Sequence, residues 1–498
     1  MQRVLPCRHP WPLHGVAASR ALEQQAAAQW PAHTLMRRAG TAVARLALAV
    51  APHADRIWIA AGPGNNGGDG IDAAIHLRAV GKQVHLTLAG DASALPEDAL
   101  DAWQRAAAAG IQIDAAPPPN LGVGDLAIDA LLGLGGTRAP EGALADAIAQ
   151  INRLPCKVLA VDLPSGLRGD TGQTLGSQGV HATHTLSLLT LKPGLFTAAG
   201  RDCAGDIWLD TLGVDPAALA PDARLVSPDV HAVSRRLHAQ HKGSFGDVAV
   251  VGGAPGMTGA ALLAARAAHA SGAGRVFVGL LDGGSVSHDI VRPELMFRTR
   301  WWEAAASVLQ STTTVCGCGA GDLVRDILPR LLKNASRLVL DADALNAIAA
   351  DSVLQHLLRA RADGERATVL TPHPLEAARL LNSDTTGVQA DRLKAAQTLA
   401  DRFGAVVVLK GSGTVIAAPG LLPLVNPTGD AALATAGTGD VLAGWIAGLW
   451  AQRAAHRRMD DVQRLAATAV YAHGAAAELR DEPLLRAADL IDYMRADA

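Results

Sequence analysis

Residues 426–444, NPTGDAALATAGTGDVLAG, decide how the second half of the chain is interpreted. Within this stretch, AGTGD at residues 436–440 precedes VLAGWIAGL, which has the apolar character of a helix. A glycine turn at a helix start leaves backbone N–H groups unpaired at the positive end of the helix dipole, which suits an anion. The carboxylate of Asp440 can accept the proton of a hydroxyl group that attacks phosphorus. Taken alone, the motif is explained equally well by a glycine C-cap and a helix-capping aspartate.

Length and composition favour two domains, or at most three, each with its own core. The chain has 498 residues, of which 49% are hydrophobic but only 3% aromatic, so the cores are built from Ala, Val and Leu. A net charge of −3 gives no electrostatic reason to expect nucleic acid or a membrane surface as a partner. No stretch is long and uncharged enough to span a bilayer, and Pro, Arg and His interrupt the N-terminus where a signal peptide needs an apolar core.

The five cysteines are odd in number and scattered, which favours a cytoplasmic location over a disulfide framework. Cys316 and Cys318 have the spacing of a metal-binding pair, but no second Cys/His cluster lies near them in the sequence. We therefore interpret these two residues as small buried side chains in a glycine loop.

The first half alternates apolar strands with helices, the pattern of a parallel, doubly wound α/β sheet. A helix is predicted over 17–50, a glycine-rich loop over 62–70 and a helix from residue 72. Strands are predicted at 57–60, 84–89, 126–128, 158–161 and 185–191. Four strands are followed by polar residues, although each alone could be a turn residue or a helix cap. Because ligands bind beyond the carboxyl ends of parallel strands, we expect a site formed by Asn65, Asn66, Asp69, Asp129, Asp162, Ser165 and Lys192.

A second βα series follows a proline-containing linker predicted at 216–232, so the domains are predicted at 1–215 and 233–498. Its strands are predicted at 247–252, 275–280, 313–316, 337–340, 368–370 and 406–410. Polar residues again follow the strands, and each has a plainer explanation: His373 as a loop residue, Lys410 as a surface lysine, Asp341 and Asp343 as helix caps.

The motifs GPGNNGGDG, DALLGLG, VDLPSG and LKPG, together with LMRRAG upstream, resemble the N-terminal domain of the YjeF family, the NAD(P)HX epimerases. The resemblance implies a Rossmann-like domain that holds a hydrated nicotinamide dinucleotide and one K⁺ ion. It implies K⁺ ligation by Asn66, Asp129 and Ser165, proton transfer by Asp162, and a supporting role for Lys192. The implied substrate contacts are Asn65, Asn66, Gly67, Gly68, Asp69, Gly133, Leu134, Gly135, Gly136, Thr137, Arg138, Ala139 and Asp162.

One position departs from the family pattern in this domain. Leu134 replaces the usual small hydroxyl residue between the glycines, so the family pattern no longer predicts one of its phosphate contacts here. Thr137 and Arg138 are the residues that could compensate.

The motifs HKGSFG, RPELM, LDADALN, TPHPLE, LKGSGT and NPTG…AGTGDVLAG resemble the C-terminal, ribokinase-like dehydratase domain of the same family. The resemblance implies that an adenine nucleotide is held by Lys410, Gly411, Ser412, Gly413, Thr414 and Gly439. It implies that the hydrate is lined by Ala260, Gly319, His373 and Asp440. The departure here is CGCGAG at residues 316–321, which replaces the family's Gly-Pro-Gly-Leu-Gly and lacks the rigid proline.

The resemblance implies a bifunctional repair enzyme that interconverts R- and S-NAD(P)HX and dehydrates the S form. ADP as the phosphate donor, Mg²⁺, and a homo-oligomer of four or more subunits are part of that expectation. Two alternatives stay open at this point: a small-molecule kinase of the ribokinase superfamily, which would leave a phosphoester, and a non-catalytic nucleotide-binding protein.

Overall fold

The computed structural model describes residues 1–228, 236–364, 366–453, 458–480 and 484–496. The chain forms two compact units, Met1–Arg224 and Leu225–Ala498. Their boundary falls inside the predicted linker, where the described residues form a 3₁₀ turn, Pro216–Ala218, and a strand, Ala223–Leu225. Residues 229–232 of that predicted linker lie outside the described residues.

The first unit is a doubly wound α/β fold, as the sequence predicts. Its sheet has the order β1-β8-β7-β6-β5-β3-β4, and every neighbouring pair from β4 to β8 is parallel. The strand order reverses between β3 and β5, which is where such folds bind ligands. The elements are β1 (Gln2–Arg3), β2 (Pro12–Leu13), α1 (Val16–Gln29), α2 (Thr34–Val50), β3 (Arg56–Ala61), α3 (Asn65–Ala79), β4 (Gln83–Leu88), α4 (Glu97–Ala108), β5 (Leu126–Ala130), α5 (Ala143–Ile151), β6 (Lys157–Val161), β7 (His184–Leu188), α6 (Gly200–Cys203), β8 (Asp206–Asp210) and β9 (Ala223–Leu225).

Side-chain alternation along β3 shows why the sheet is covered on both faces. Ile57 and Ile59 belong to one buried apolar cluster, and Trp58 and Ala60 belong to another on the opposite face. A strand that is apolar on both faces requires helices on both sides, which explains its nearly continuous hydrophobic sequence.

The single helix predicted over 17–50 is wrong, because the chain forms two helices there. α1 ends at Gln29 and α2 begins at Thr34. Pro31 lies between them and cannot donate a backbone hydrogen bond, while His33 adopts φ 64°, a left-handed conformation incompatible with a continuous helix.

The glycine-rich loop predicted over 62–70 is also wrong, because α3 already begins at Asn65. The glycines are needed for close packing. A Cβ at Gly67 would lie 1.9 Å from the carbonyl oxygen of Gly62, and one at Gly70 would lie 2.6 Å from the Cβ of Ala130. The glycine content therefore reflects a helix that lies directly against the sheet.

The second unit repeats the architecture with a longer sheet. Its order is β12-β11-β10-β13-β14-β15-β16-β17-β18, parallel from β12 to β16 and antiparallel from β16 to β18. The order reverses between β10 and β13. The elements are β10 (Asp247–Gly252), α7 (Thr258–Ala270), β11 (Arg275–Leu280), β12 (Met296–Phe297), α8 (Ala306–Ser311), β13 (Thr313–Cys316), α9 (Val324–Asn334), β14 (Arg337–Leu340), α10 (Asp343–Ala350), α11 (Ser352–Asp363), β15 (Thr368–Leu370), α12 (Pro374–Leu381), α13 (Thr385–Ala390), α14 (Arg392–Phe403), β16 (Val406–Leu409), β17 (Val415–Ala417), β18 (Leu424–Val425), α15 (Thr438–Ala451), α16 (Met459–Glu478) and α17 (Ala487–Ala496).

Small residues bring α7 and α15 close together in this unit. A Cβ at Gly444 of α15 would lie 1.9 Å from the carbonyl oxygen of Ala264 of α7. The alanines and glycines of these helices therefore serve packing. The five cysteines of the chain are buried and unpaired. No helix among the described residues combines the length and the apolar character needed to cross a membrane.

Replacing Gly67 with alanine is expected to destabilise the first unit. The new Cβ would overlap the backbone carbonyl of Gly62, so α3 must shift, at a cost of about 1–3 kcal/mol. Gly64→Ala is the matched control, because Gly64 has φ −116° and nothing lies within 4 Å of its Cβ position. Thermal unfolding should show a lower Tm for Gly67→Ala and an unchanged or slightly higher Tm for Gly64→Ala. Equal Tm values for the two variants would contradict the packing explanation.

Candidate active sites

A cavity of about 490 Å³ lies at the carboxyl ends of the strands in the first unit, where the strand order reverses. Two segments that follow neighbouring strands supply much of its wall: the start of α3 after β3, and residues 131–136 after β5. The predicted site residues that line it are Asn65, Asn66, Asp69, Gly133, Leu134, Gly135, Gly136 and Asp162.

The remaining predicted residues of this unit lie outside the cavity wall. Gly67 and Gly68 are buried in the helix packing, and Thr137, Arg138 and Ala139 are exposed. Asp129, Ser165 and Lys192 are fully buried and do not line the cavity.

Asp162 and Lys192 form a buried ion pair beside the cavity. The Lys192 ammonium donates to the Asp162 carboxylate and, at 2.7 Å, to the carbonyl oxygen of Leu188. Asp162 also accepts the Leu188 amide at 3.2 Å and adopts φ 66°, a conformation that non-glycine residues rarely adopt. The pair fixes the Asp162 carboxylate at the wall of the cavity. The buried Lys192, which does not line the cavity, compensates its charge.

Asp129 and Ser165 form a second polar pair, without a cationic partner among the described residues. Asp129 accepts the Ser165 hydroxyl at 2.5 Å and the Ser165 amide at 2.8 Å. Burial raises the pKa of Asp129 to about 6. The Ser165 hydroxyl also lies 3.2 Å from the carbonyl oxygen of Leu132. A buried carboxylate with nearby hydroxyl and carbonyl oxygens has the hard-donor chemistry of an alkali-cation site, so these residues fit K⁺.

Asn66 is the third predicted K⁺ ligand, and it lies close to the same region. Its side-chain oxygen would be 3.0 Å from a Cβ placed on Gly133, and its amide nitrogen is buried without a hydrogen-bond partner among the described residues. The structure thus brings Asp129 and Ser165 together and places Asn66 against the segment that follows Leu132.

Two carboxyl groups share the cavity with Asp162. Burial, together with the charge of Asp162, raises the pKa of Asp69 well above its usual range, and the same two causes raise the pKa of Glu23. Glu23 and Arg20, both on α1, line the cavity but were not predicted. The sequence offered no signal for them, because they lie in an alanine- and glutamine-rich helix that contains none of the motifs.

In the second unit, the Lys410–Asp341 ion pair lies next to the glycine turn at the start of α15. The Lys410 ammonium donates to Asp341 at 2.7 Å, and Asp341 also accepts the Thr371 hydroxyl at 2.8 Å. A Cβ at Gly439 would lie 3.2 Å from the Lys410 ammonium. Lys410 is therefore a paired lysine beside this glycine turn and not a surface lysine.

Asp440 lies in the first turn of α15, beside the predicted anion cradle. Gly437, at the N-cap, has φ 93°, and the amides of Gly437, Gly439 and Asp440 donate to no described residue. Burial, with the charge of Asp341 as the next cause, raises the pKa of Asp440 to about 6. A carboxylate that is ionised at neutral pH therefore stands beside free N–H donors, the arrangement expected for a base next to a phosphate.

The cysteine-containing loop keeps the glycine geometry despite its missing proline. Gly317 has φ 122°, and its Cβ position lies 1.9 Å from the carbonyl oxygen of Asp341. Cys318 replaces the proline, and its sulfur lies with carboxylate oxygens of Asp341 and Asp440 in a group whose atoms are all within 4.8 Å of one another. Cys316 and Cys318 are buried, as the sequence predicts.

Two predicted hydrate contacts, Ala260 and Gly319, are adjacent. A Cβ at Gly319, which has φ 58°, would lie 3.0 Å from the Cβ of Ala260. The carbonyl oxygen of Gly319 accepts the Ala254 amide at 2.7 Å, so the cysteine loop is tied to the segment after β10.

His373 caps α12 and contacts a carboxyl group that the sequence did not single out. Its Nδ1 accepts the Leu375 amide at 3.0 Å, so Nε2 carries the proton toward Glu376 at 3.3 Å. Burial lowers the pKa of His373 and raises that of Glu376 to about 7. Asp343, proposed as a helix cap, instead accepts the amide of Gly321 at 2.8 Å.

Comparison with known proteins identifies relatives of both units. A family model described as the YjeF-related protein N-terminus matches residues 32–194, and one described as NAD(P)H-hydrate dehydratase matches residues 248–494. The bifunctional NAD(P)H-hydrate repair enzyme Nnr of Escherichia coli K12 is 34% identical over 458 residues, covering 90% of this chain and 85% of the relative. The enzyme of the same description from Coxiella burnetii is 36% identical over 479 residues, covering 93% and 94%.

One solved structure is similar to part of the chain. The ADP/ATP-dependent NAD(P)H-hydrate dehydratase of Bacillus subtilis, co-crystallised with ATP and Mg²⁺, is 30% identical. The match covers 53% of this chain and 92% of that chain, with a TM-score of 0.42.

Lys192→Met is expected to destabilise the first unit by about 3 kcal/mol, because it leaves the Asp162 carboxylate buried without its counter-charge. Asp162→Asn in the same background should recover part of that loss. A double-mutant cycle by chemical denaturation measures the coupling between the two positions. Additive effects of the two substitutions would show that the ion pair does not hold Asp162 in place.

Proposed function

The chain belongs to the family of bifunctional NAD(P)H-hydrate repair enzymes, and from that premise we propose that its two units carry out the two steps of hydrate repair. The N-terminal domain, residues 1–215, interconverts the R and S epimers of NADHX and NADPHX. The C-terminal domain, residues 233–498, dehydrates the S epimer with ADP as the phosphate donor. The observation that carries the proposal is the Asp440 carboxylate beside the free amides at the start of α15.

In the dehydratase step, the oxygen of the hydrate hydroxyl group attacks the terminal phosphorus of ADP. Asp440 accepts the proton of that hydroxyl group. AMP leaves, and the poor leaving group hydroxide has become phosphate. The lone pair of the ring nitrogen then expels inorganic phosphate, and loss of a proton from the adjacent ring carbon restores the double bond. The amides of Gly437 and Gly439 stabilise the charge on the transferred phosphoryl group. When bound with the nucleotide, Mg²⁺ would screen the charge of the phosphates.

The predicted ligand contacts of this step stay as the family resemblance implies. Lys410, Gly411, Ser412, Gly413, Thr414 and Gly439 hold the nucleotide, and Ala260, Gly319, His373 and Asp440 line the hydrate. Support comes from the neighbourhood of Gly439 with Lys410 and of Ala260 with Gly319.

In the epimerase step, the carboxylate of Asp162 carries out the proton transfer to or from the hydrate. Lys192 holds this carboxylate in position. Substrate contacts are proposed for the residues that line the cavity. In the family pattern, a hydroxyl residue at the position of Leu134 contacts a phosphate. Arg20 is a better candidate than Thr137 or Arg138 to replace that contact. Arg20 lines the cavity, and its guanidinium is 3.9 Å from the Cβ position of Gly135, whereas the other two residues face solvent.

K⁺ is proposed to bind Asn66, Asp129 and Ser165, because Asp129 is a buried carboxylate without another cation among the described residues. When bound, the ion would supply a positive charge that compensates the buried Asp129 carboxylate. The tetrameric or larger assembly that the resemblance implies stays a prediction, as does the cytoplasmic location that the scattered cysteines favour.

Purified protein given a mixture of R and S hydrates, ADP, Mg²⁺ and K⁺ at about pH 7.5 should restore the absorbance of the reduced nicotinamide ring completely. The pH lies above the pKa of Asp440, so its carboxylate is ionised. Asp440→Asn should lower the rate at least about 10²-fold, because the base is removed. With Asp162→Asn, the rise in absorbance should stop once the S epimer is consumed. The absorbance must be recorded early, before uncatalysed epimerisation converts the R epimer.

The product separates hydrate repair from the alternatives. Dehydration releases inorganic phosphate in step with the absorbance, whereas a small-molecule kinase leaves a stable phosphoester. No nucleotide-dependent rise in wild type would contradict the repair function. Unchanged repair by both variants would favour a non-catalytic binding protein.

K⁺ should raise the Tm of the first unit relative to tetramethylammonium at the same ionic strength. At ten times its Kd, a ligand that binds only the folded state adds about 1.4 kcal/mol, which corresponds to a shift of roughly 3–5 °C. Asp129→Asn should abolish the difference, because it removes the charged ligand. Scanning calorimetry of both proteins in both salts is the measurement, and equal Tm values for wild type would contradict the K⁺ site.

A further inference from the structure

Two arginines of the second unit, Arg361 and Arg392, are each 1% exposed. Neither has a carboxylate partner within the described part of the chain. Burying an unpaired cation is costly, so each needs a physical reason.

The position of Arg361 is explained by the fold alone. It lies in the last turn of α11, where a cation interacts favourably with the helix dipole. Its guanidinium donates to the carbonyl oxygens of Leu332 at 2.9 Å and Ala335 at 2.7 Å, and to the Thr368 hydroxyl at 2.7 Å. These bonds connect α9, α11 and β15 at the amino end of the strand.

The position of Arg392 is not explained in the same way. It is the first residue of α14, where the helix dipole disfavours a cation. Its guanidinium donates to the carbonyl oxygens of Leu409 at 3.1 Å and Lys410 at 3.0 Å and to the Gln389 side chain at 2.5 Å. Its Nε is buried without a hydrogen-bond partner among the described residues.

The contacts of Arg392 lead directly to the segment 410–414. A Cβ at Gly411, which has φ 127°, would lie 3.0 Å from the guanidinium, so the glycine backbone lies against the cation. The charge of Lys410 is compensated by Asp341 at 2.7 Å, whereas that of Arg392 has no such carboxylate among the described residues. Burial lowers the pKa of Arg392 to about 10, so the group stays charged at neutral pH.

We propose that Arg392 is a positioning residue for the nucleotide, and that the phosphates of a nucleoside di- or triphosphate compensate its buried charge. The guanidinium fixes the carbonyl groups of Leu409 and Lys410, which sets the direction of the backbone from Lys410 to Thr414. The guanidinium also places a positive charge next to the backbone of Gly411. The inference rests on the proposed assignment of that segment to nucleotide binding.

The test compares Arg392→Met and Arg392→Lys with Arg361→Met, which removes a guanidinium that is equally buried but explained by the fold. Calorimetry with ADP and Mg²⁺ gives the Kd without any turnover, and steady-state assays give KM separately for ADP and for the S hydrate. Arg392→Met should raise the Kd and KM for ADP about tenfold and leave the KM for the hydrate within twofold. Arg392→Lys keeps the charge with fewer donors and should raise the Kd about threefold.

Arg361→Met should lose thermal stability but bind ADP within twofold of wild type. Equal weakening of ADP binding in Arg361→Met and Arg392→Met would overturn the proposal, as would wild-type ADP affinity in Arg392→Met. If the methionine variant does not fold, Arg392→Lys decides: a threefold weaker Kd supports the proposal and an unchanged Kd overturns it. A wild type that binds ADP but does not dehydrate the hydrate refutes the proposed function and leaves this inference standing.

Discussion

Direct contact between backbones, at positions where no Cβ fits, is the constraint on which both units depend. In the first unit α3 lies against the end of β3 through Gly67, and in the second Gly317 lies against the carbonyl of Asp341. Gly444 does the same between α15 and α7. These approaches bring helix starts and strand ends close together, and the polar side chains of both sites project from the same segments. The geometry of each site therefore follows from how closely its backbone segments can approach.

The sheet was the most predictable part of the fold. Strands such as Asp247–Gly252, Arg275–Leu280 and Thr313–Cys316 have the bounds that the sequence indicated, because a strand buried on both faces is a short apolar run bordered by polar residues and glycine. The start of α3 was mistaken, since glycine is the residue of loops and, equally, of the tightest helix packing. The sequence cannot distinguish the two uses, because the neighbour that requires the glycine is another part of the chain.

The positions of the candidate site residues were predictable where several motifs agreed. The side chains with which these residues form ion pairs were not predictable. Asp162, Lys410 and Asp440 stand out at strand and helix ends. The pairing of Asp162 with a lysine 30 positions away, and of Asp341 with one 69 positions away, arises only from the topology. Glu23 faces the first cavity from a helix without any motif. In both units the positive charge of a lysine compensates the negative charge of an aspartate. A second carboxyl group with a raised pKa, Asp69 in the first unit and Asp440 in the second, can therefore lie nearby.

The segment Asn65–Gly70 contains glycines that the packing of the fold requires and polar residues that only the function of the cavity requires. Gly67, Gly68 and Gly70 are required by steric contacts that exist whether or not a substrate is ever bound. Asn65, Asn66 and Asp69 face the cavity, and the fold places no comparable steric demand on them. A descendant that no longer catalysed the reaction would thus keep the glycines and drift at the polar positions. Shared glycines in this motif report common ancestry of the architecture, and only the polar positions carry information about retained chemistry.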